Sequence, residues 1–369
     1  MKVPLLDLTA QYAGLKSQIM PAVEAVLDSQ MVCNGPAVRQ FESQIASYCG
    51  SKHGVGVSSG TDALLCALMA LGIGPGDEVI IPPFTFFATA GVVWRVGAKP
   101  VFVDIQPDTF NIDPDLIAPA LTPRTKAIIP VHLFGQTADM DEIMGIAASH
   151  DLYVVEDAAQ SIGSAYKGHR ACSIGTVGCL SFYPTKNLGA CGDAGMCITG
   201  DDEIAAKLER TRNHGQGGTY MHETVGGNFR MDTVQAAILS VKLAVLDDWH
   251  EGRRRNAAIY DEKLAGLDGI ILPHVRRDNY MIYNQYTIRV KNSRRDALKK
   301  FLADNEIASG VYYPLSLHQQ ECFASLGYRQ GDFPVSEMAA AEVLSLPITG
   351  EISPQQIEFV AQKVREFAS

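Results

Sequence analysis

Three residue groups in this 369-residue chain have types and spacings suited to chemistry. Residues 58–61, Ser-Ser-Gly-Thr, lie between a strand-like run and a helix-like run, so free backbone N–H groups and the helix dipole would face an anion such as a phosphate. Asp157 ends an apolar strand-like run, where a carboxylate could hold a cationic ring nitrogen of a ligand. Gln160 lies one helical turn away on the same face, so the pair could also hold a hydroxyl adjacent to that nitrogen. Lys186 and Ser181 follow another run in a glycine-rich turn. Loss of water in a closed pocket would lower the pKa of this lysine and make it an amine nucleophile.

Each group also has an ordinary structural interpretation. A Ser or Thr before a helix is commonly only an N-cap, Asp157 could cap the helix that follows it, and Lys186 could be a solvated loop lysine. Together, however, a phosphate cradle, an acidic partner for a ring nitrogen and a nucleophilic lysine are what pyridoxal 5′-phosphate (PLP) requires. The glycines near residue 60 do not fit GxGxxG, and the P-loop pattern is absent, which disfavours a nicotinamide oxidoreductase.

The elements that must position these residues form an alternating pattern. Short β-branched runs alternate with helix-like stretches over residues 54–59, 78–82, 99–105, 126–135, 152–159, 177–184 and 195–200. Continuous apolar strands with helical connections predict a mainly parallel sheet covered on both faces. A helical pattern over 234–267 ends this region. A strand-like run at 285–290 and helices at 293–305 and 353–367 follow, and they predict a smaller α+β domain.

Composition narrows the class of protein. The 31 basic and 41 acidic residues give a net charge of −10, which argues against a partner rich in phosphate such as a nucleic acid. Eight cysteines without a CxxC pair predict reduced thiols and no metal site. The N-terminus lacks the unbroken apolar stretch of a signal peptide, and no run approaches a membrane span. We therefore expect a cytoplasmic protein with no membrane partner.

Seven motifs occur in order along the chain: SSGTDAL (58–64), PFTFFAT (83–89), VHLFG (131–135), EDAAQSIGS (156–164), SFYPTKNLG (181–189), RNHGQ (212–216) and GGNFRMDTVQAAIL (226–239). Together they resemble the DegT/DnrJ/EryC1/StrS family of PLP-dependent nucleotide-sugar aminotransferases, from about residue 4 to residue 347. The resemblance implies an α/β chain of PLP fold type I. Its large domain, 1–245, would hold a mixed, mainly parallel seven-stranded sheet flanked by helices, with an N-terminal segment that can pack on the smaller α+β domain, 246–369.

The resemblance implies roles in a cofactor site. Lys186 would hold PLP covalently and act as the acid and base of the reaction. Asp157 would pair with the pyridinium nitrogen, and without that pairing the ring would lose its capacity as an electron sink. Gln160 would hydrogen-bond the ring oxygen of the cofactor, and Phe86 would stack on the ring.

The phosphate end of the cofactor would be held by several elements. The resemblance assigns Gly60, Thr61 and Ser181 to the phosphate. It also implies that Asn228 reaches the phosphate from the neighbouring subunit, so that a homodimer would have shared active sites.

Substrate-binding roles follow the same resemblance. Arg230 would bind a carboxylate or phosphate of the substrate, although an ion pair with Asp232 is equally in keeping with the sequence. Tyr312, Tyr313 and His318 match a Tyr-Tyr-Pro…His segment near the sugar site, and aromatic packing within the small domain is their alternative.

The implied activity is transfer of an amino group, with L-glutamate as donor and 2-oxoglutarate as co-product, to a keto group of a UDP- or dTDP-linked sugar in amino-sugar biosynthesis. Pyridoxamine phosphate would be the intermediate form of the cofactor. The RNHGQ and TYMHE segments favour 3-keto over 4-keto sugars. A PLP-dependent sugar dehydratase would have histidine in place of Lys186, and a regulatory protein that keeps only the fold would have lost the lysine, aspartate and phosphate set.

Overall fold

The computed structural model describes residues 1–368. Its helices are α1 (Leu8–Ser29), α2 (Pro36–Cys49), α3 (Gly60–Ala70), α4 (Ala88–Arg95), α5 (Ile117–Ala120), α6 (Met140–Ser149), α7 (Asp202–Arg212), α8 (Thr233–Leu243), α9 (Leu246–Leu264), α10 (Arg295–Asp304), α11 (Pro334–Glu342) and α12 (Pro354–Ala368). Its strands are β1 (His53–Val57), β2 (Glu78–Ile81), β3 (Lys99–Phe102), β4 (Thr125–Ile128), β5 (Tyr153–Asp157), β6 (Ala165–Tyr166), β7 (His169–Arg170), β8 (Val177–Ser181), β9 (Gly195–Thr199), β10 (Gln216–Gly218), β11 (Met221–His222), β12 (Ile270–Ile271), β13 (Asn279–Tyr280), β14 (Tyr286–Val290) and β15 (Val343–Leu346).

A seven-stranded sheet in the order β1-β9-β8-β5-β4-β2-β3 forms the centre of the fold. Strand β9 runs antiparallel to both of its neighbours, and the other pairs in the sheet are parallel. Five strands, β2, β4, β5, β8 and β9, are buried along nearly their whole length because helices cover both faces, which explains their continuous apolar sequences. The predicted α/β fold with a mixed, mainly parallel sheet is confirmed.

The carboxyl ends of three strands meet at one edge of this sheet. Asp157 is the last residue of β5, Ser181 is the last residue of β8, and Ser59 follows β1 by two residues. Ser59 is the N-cap of α3, because its hydroxyl accepts a hydrogen bond from Asp62 N at 3.0 Å. The three residue groups singled out from the sequence therefore converge at the edge where open α/β sheets bind ligands.

The C-terminal part is built on a smaller, antiparallel sheet in the order β12-β14-β15. Helices α10 and α12 pack with it in a separate apolar cluster, which also contains Val3. Residues 1–7 join this part directly, since Val3 N donates to Glu306 O and Ala308 N donates to Val3 O, both at 3.0 Å. The division into domains at residues 245 and 246 stays a prediction, and residue 369 lies outside the described residues.

Two features of the helices differ from the sequence-based expectation. The helical pattern over 234–267 is not one helix, because the backbone leaves the helical region at Val245 (φ −119°, ψ 7°) between α8 and α9. The change of direction lets α8 pack against α1 and α2 while α9 packs against α12. The two N-terminal helices, α1 and α2, lie outside the seven sequence motifs and were not predicted from the sequence. Among residues 1–368, no helix combines the length and the apolar character that crossing a bilayer needs.

Candidate active site

A cavity of about 540 Å³ opens at the carboxyl edge of the large sheet. Nine of the twelve site residues expected from the sequence line it, and they are Gly60, Thr61, Phe86, Asp157, Gln160, Ser181, Lys186, Tyr312 and Tyr313. Asn228 and Arg230 line a neighbouring cavity, and His318 lines neither. The cavity has the size of a site for a small molecule of cofactor dimensions.

Lys186 lies in the loop after β8, where its backbone N–H donates to Tyr183 O at 2.8 Å. Burial of its amine in the cavity wall lowers the pKa of Lys186 to about 8, while the negative charge of Asp157 opposes this shift. A primary amine with this pKa is partly unprotonated near neutral pH. It is therefore available as a nucleophile and as a base.

Asp157 is 5% exposed at the end of β5. Its Oδ2 accepts a hydrogen bond from the hydroxyl of Thr89 at 2.8 Å, and its Oδ1 accepts from Ala159 N at 3.2 Å. Burial raises the pKa of Asp157, and these two hydrogen bonds oppose the rise because they favour the charged form. The carboxylate keeps free lone pairs for a donor inside the cavity.

The N-terminus of α3 provides an anion site next to Ser181. The N–H groups of Gly60 and Thr61 are the first two of the helix and have no acceptor within it. A Cβ atom at position 60 would lie 2.5 Å from Ser181 Cβ, so only glycine allows this approach. The helix start and the Ser181 hydroxyl can therefore surround one anionic group.

Gln160 and Tyr313 form a linked pair on the cavity wall. Gln160 Oε1 accepts from Phe134 N at 2.8 Å, which assigns its Nε2 as the donor to Tyr313 Oη at 3.0 Å. The second proton on Nε2 is not used by this bond. Burial raises the pKa of Tyr313, so its hydroxyl stays protonated and can donate to a ligand. The amide orientation leaves Gln160 able to donate to an oxygen in the cavity, as its predicted role requires.

Aromatic side chains form one side of the cavity. Phe86 is 57% exposed, and its ring centroid lies 6.3 Å from that of Tyr313. Tyr312 lies next to Tyr313, with ring centroids 6.1 Å apart. Burial raises the pKa of the Tyr312 hydroxyl. An exposed phenylalanine at the mouth of a cavity has its face free to stack on a planar ligand.

Asn228 and Arg230 line a second cavity of about 430 Å³. Asp193 lines both cavities, so the two lie side by side. Arg230 Nη1 donates to Asn213 Oδ1 at 2.8 Å, and in the described chain no ion pair joins it to Asp232. Within a single chain, these two predicted residues are thus separated from the Lys186 cavity.

His318 lines neither of these two cavities. It is 3% exposed, its Nε2 lies 3.0 Å from Glu337 Oε1, and its ring packs edge-on against Phe333. Its neighbours Leu317 and Phe323 belong to the apolar cluster of the large sheet. In this chain His318 therefore packs against the large sheet, and its role in binding substrate stays a prediction.

The cavity also contains residues that motif reasoning missed. Thr85 and Gln285 line it, and Thr89 lies directly behind Asp157. Thr85 and Thr89 stand four residues apart within PFTFFAT, a spacing that could have indicated two hydroxyls on one side of a helical turn. Gln285 comes from the small sheet region and gave no sequence signal. Its Oε1 is buried and has no partner among the described residues.

A second carboxylate, Glu156, lies beside Asp157 and serves the structure of the site. Glu156 accepts hydrogen bonds from the backbone N–H groups of residues 172, 174 and 175, and from His132 Nε2 at 2.9 Å. His132 Nδ1 accepts from Ala138 N at 3.1 Å, so this nitrogen carries no proton and the imidazole donates through Nε2. Because His132 N also donates to Asp157 O at 3.0 Å, this network fixes the end of β5.

The described residues include no candidate metal site. Within residues 1–368, no group of three or more His, Cys, Asp or Glu side chains is placed to hold a metal ion. Five of the eight cysteines are buried and three are exposed, all as free thiols.

Comparisons with known proteins agree with this geometry. The model of the DegT/DnrJ/EryC1/StrS aminotransferase family matches residues 14–365. A "pleiotropic regulatory protein" of Geobacillus stearothermophilus is 51% identical over 100% of this chain and 99% of its own length. A UDP-N-acetyl-3-dehydro-alpha-D-glucosamine 3-aminotransferase of Acidithiobacillus ferrooxidans is 46% identical over 98% of this chain and 97% of its own.

Two further matches concern Streptomyces venezuelae. Its dTDP-3-amino-3,4,6-trideoxy-alpha-D-glucose transaminase is 44% identical over 100% of this chain and 96% of its own. The crystal structure of DesV from this organism, in complex with a ketimine intermediate, has a TM-score of 0.97 to this chain at 44% identity. The match covers 100% of this chain and 99% of that one.

Proposed function

The chain is an aminotransferase of the DegT/DnrJ/EryC1/StrS family, and from this premise we propose that it transfers an amino group to a keto carbon of a nucleotide-linked sugar with PLP as cofactor. The observation that carries the proposal is the convergence of the Lys186 amine, the Asp157 carboxylate and the start of α3 on one cavity. The family is PLP-dependent, and each of these three groups matches one part of that cofactor.

The phosphate of PLP fits the start of α3. The N–H groups of Gly60 and Thr61 have no acceptor in the helix, and the close approach of Gly60 to Ser181 places a hydroxyl beside them. These groups would bind the phosphate through hydrogen bonds and the helix dipole.

Asp157 would bind the protonated ring nitrogen. When bound, PLP supplies an electron sink for the negative charge that develops on the α-carbon of an amino-acid donor. The carboxylate of Asp157 stabilises the proton on the ring nitrogen, Gln160 donates to the ring oxygen, and Phe86 covers one face of the ring.

Lys186 would have two tasks. Its amine would anchor the cofactor through the carbonyl carbon, and once released it would move a proton from the α-carbon of the donor to that carbon of the cofactor. Both tasks need an unprotonated amine, and burial lowers the pKa of Lys186 to about 8 in the cavity wall. The presence of Lys186 rather than histidine favours amino transfer over sugar dehydration.

The names of two relatives support a 3-keto sugar as acceptor, since both place the amino group on carbon 3. One of these relatives uses a UDP-sugar and the other a dTDP-sugar. We assign L-glutamate as the donor and 2-oxoglutarate as the co-product, with pyridoxamine phosphate as the intermediate form of the cofactor. Tyr312 and Tyr313, which line the cavity, are the proposed contacts for the sugar.

A homodimer with shared sites would explain the position of Asn228 and Arg230. Both line the cavity beside the Lys186 cavity and not the Lys186 cavity itself. In this proposal they reach the site of a second copy, where Asn228 binds the phosphate and Arg230 binds a substrate anion. The division of the chain into domains 1–245 and 246–369 belongs to the same proposal.

A regulatory role is the second candidate, favoured by the printed name of the relative that is 51% identical. A protein that kept only the fold would not need a lysine of lowered pKa facing a buried carboxylate in an open cavity. Purified protein that absorbs in the visible range, and loses this absorbance on addition of L-glutamate, would support the aminotransferase. Protein without a visible band after incubation with PLP would support the regulator.

The activity itself is tested with a panel of UDP- and dTDP-linked 3-keto and 4-keto sugars. We expect amine transfer to a 3-keto sugar, established by product mass and by the position of the new C–N bond. A matched pair of variants, Lys186→Ala and Asp157→Asn, should lose multiple turnover. Transfer that persists in Lys186→Ala would remove that residue from its role.

The shared site is tested by mixing subunits. Lys186→Ala and Asn228→Ala are each expected to be impaired as homodimers. In a mixed dimer, one of the two sites combines both intact residues, so activity should rise above that of either parent. If one chain supplies both groups to its own site, mixing will produce no increase.

A further inference from the structure

Thr89 is fully buried behind the cavity, and its hydroxyl touches Asp157. Thr85 is 2% exposed, lines the cavity, and places its Oγ1 3.1 Å from Thr89 Oγ1. Together the three side chains form a chain of hydrogen bonds, Thr85–Thr89–Asp157, that starts beside the cavity and ends on the carboxylate.

The direction of these hydrogen bonds follows from the charge of the carboxylate. An ionised carboxylate only accepts, so the O–H of Thr89 must donate to Asp157 Oδ2. The oxygen of Thr89 is then free to accept, and the O–H of Thr85 can donate to it. Both protons thus point toward the carboxylate, and each bond strengthens the next.

Asp157 has few other means of holding its charge and orientation. Its second bond, from Ala159 N at 3.2 Å, is longer than the bond of 2.8 Å from Thr89. Thr89 provides the one side-chain hydrogen bond that reaches Asp157 in the described residues. Hydrogen bonds to a charged acceptor are among the strong ones in proteins.

We propose that Thr89, supported by Thr85, is a positioning residue that fixes the Asp157 carboxylate so that it faces the ring nitrogen of the cofactor. This inference rests on the proposed function, because it needs PLP in the cavity. Thr89 does not contact the ligand. It acts through Asp157, and its effect should depend on whether the ligand has a ring nitrogen at all.

The test compares two ligands and three proteins. Wild type, Thr89→Val and Thr89→Ser are titrated with PLP and with its 1-deaza analogue, in which carbon replaces the ring nitrogen, and dissociation constants are measured by equilibrium dialysis. We expect Thr89→Val to weaken PLP binding by about tenfold, the effect of losing one hydrogen bond to a charged group. Binding of the deaza analogue should change by less than about twofold. Thr89→Ser keeps the hydroxyl and should retain most of the affinity for PLP.

A buried threonine that does not line the cavity provides the control. Thr287 is 3% exposed, and its hydroxyl lies 2.8 Å from that of Ser345 in the small sheet. Thr287→Val removes a comparable buried hydrogen bond, and binding of both ligands should stay at the wild-type level. If Thr89→Val does not fold, Thr85→Val removes only the supporting hydroxyl and should weaken PLP binding by about threefold, again without effect on the analogue.

Two results would overturn the inference. Equal weakening of both ligands in Thr89→Val would mean that Thr89 only maintains the shape of the cavity, and unchanged binding of both would mean that Asp157 does not depend on it. Failure of the proposed function looks different, because wild type itself would then bind neither PLP nor the analogue.

Discussion

Replacing Lys186 with methionine should change how the stability of the cofactor-free protein depends on pH. The pKa of this lysine falls from 10.5 to about 8 on folding, because burial disfavours the ammonium form. Below pH 8 the lysine is protonated in both the folded and the unfolded chain, so the cost of burying the charge is fully present. Between pH 8 and 10.5 only the unfolded chain holds the proton, and the free energy of unfolding of the wild type therefore rises with pH.

The size of the effect follows from the width of this window. A difference of one pKa unit corresponds to about 1.4 kcal/mol, and water in the open cavity reduces the full value. Relative to Lys186→Met, we expect the wild type to gain about 2 kcal/mol of stability between pH 7 and pH 10. Lys186→Met removes the charge, so its stability lacks this gain.

Urea unfolding at pH 7, 8, 9 and 10 measures the difference between the two proteins. Lys126→Met, at an exposed position of β4, is the control, because it makes the same chemical change outside the cavity. A difference between wild type and Lys186→Met that stays constant over this range would refute the argument that burial sets the reactivity of the amine. A free energy of unfolding of wild type that falls with pH relative to that of Lys186→Met would show that the sign of the argument is wrong.

Three further substitutions test other buried positions of the chain. Burial alone would raise the pKa of Glu156, but hydrogen bonds from His132 and backbone N–H groups outweigh burial and lower this pKa. Glu156→Gln should therefore reduce the free energy of unfolding by about 3 kcal/mol at pH 7, measured by urea unfolding. The difference in stability between this variant and wild type should shrink as the pH falls below 4. Burial lowers the pKa of His250 to about 3. As the pH falls from 6.5 toward 3, the free energy of unfolding of wild type should therefore fall by up to about 1.4 kcal/mol per pH unit relative to that of His250→Gln. An equal dependence of stability on pH in the two proteins would contradict this. Gly60→Ala places a Cβ 2.5 Å from Ser181 Cβ, so the start of α3 and Ser181 must move apart. PLP affinity should fall by at least about tenfold, with some loss of stability in urea unfolding, and unchanged affinity would remove the helix start from the phosphate site.

Much of the candidate site could be predicted because its residues lie where strands end. Asp157 and Ser181 each terminate a run of apolar residues, and parallel strands bring their carboxyl ends to one edge of the sheet. The motif residues therefore indicate a shared location even before the order of the strands is known.

Contacts between distant parts of the chain could not be predicted in the same way. Thr89 meets Asp157 across 68 residues, and Gln160 meets Tyr313 across 153. His318 follows the same short motif as Tyr313 but turns into an apolar cluster, because its neighbours Leu317 and Phe323 pack beneath the large sheet. Motif spacing identifies a segment, whereas packing decides which side chains of that segment reach the cavity.

Strand β5 ends with two adjacent carboxylates that have unlike environments. Glu156 is held by backbone N–H groups and His132, and Asp157 by Thr89. Since neighbouring side chains of a strand point to opposite faces, a slip of one residue in the pairing of β5 would exchange them. The misaligned strand would present Glu156 to the cofactor. Asp157, which is one methylene shorter, would then lie among the backbone N–H groups and the His132 ring that are spaced for a glutamate. The different lengths of the two side chains thus make a shifted pairing of β5 less stable than the native pairing.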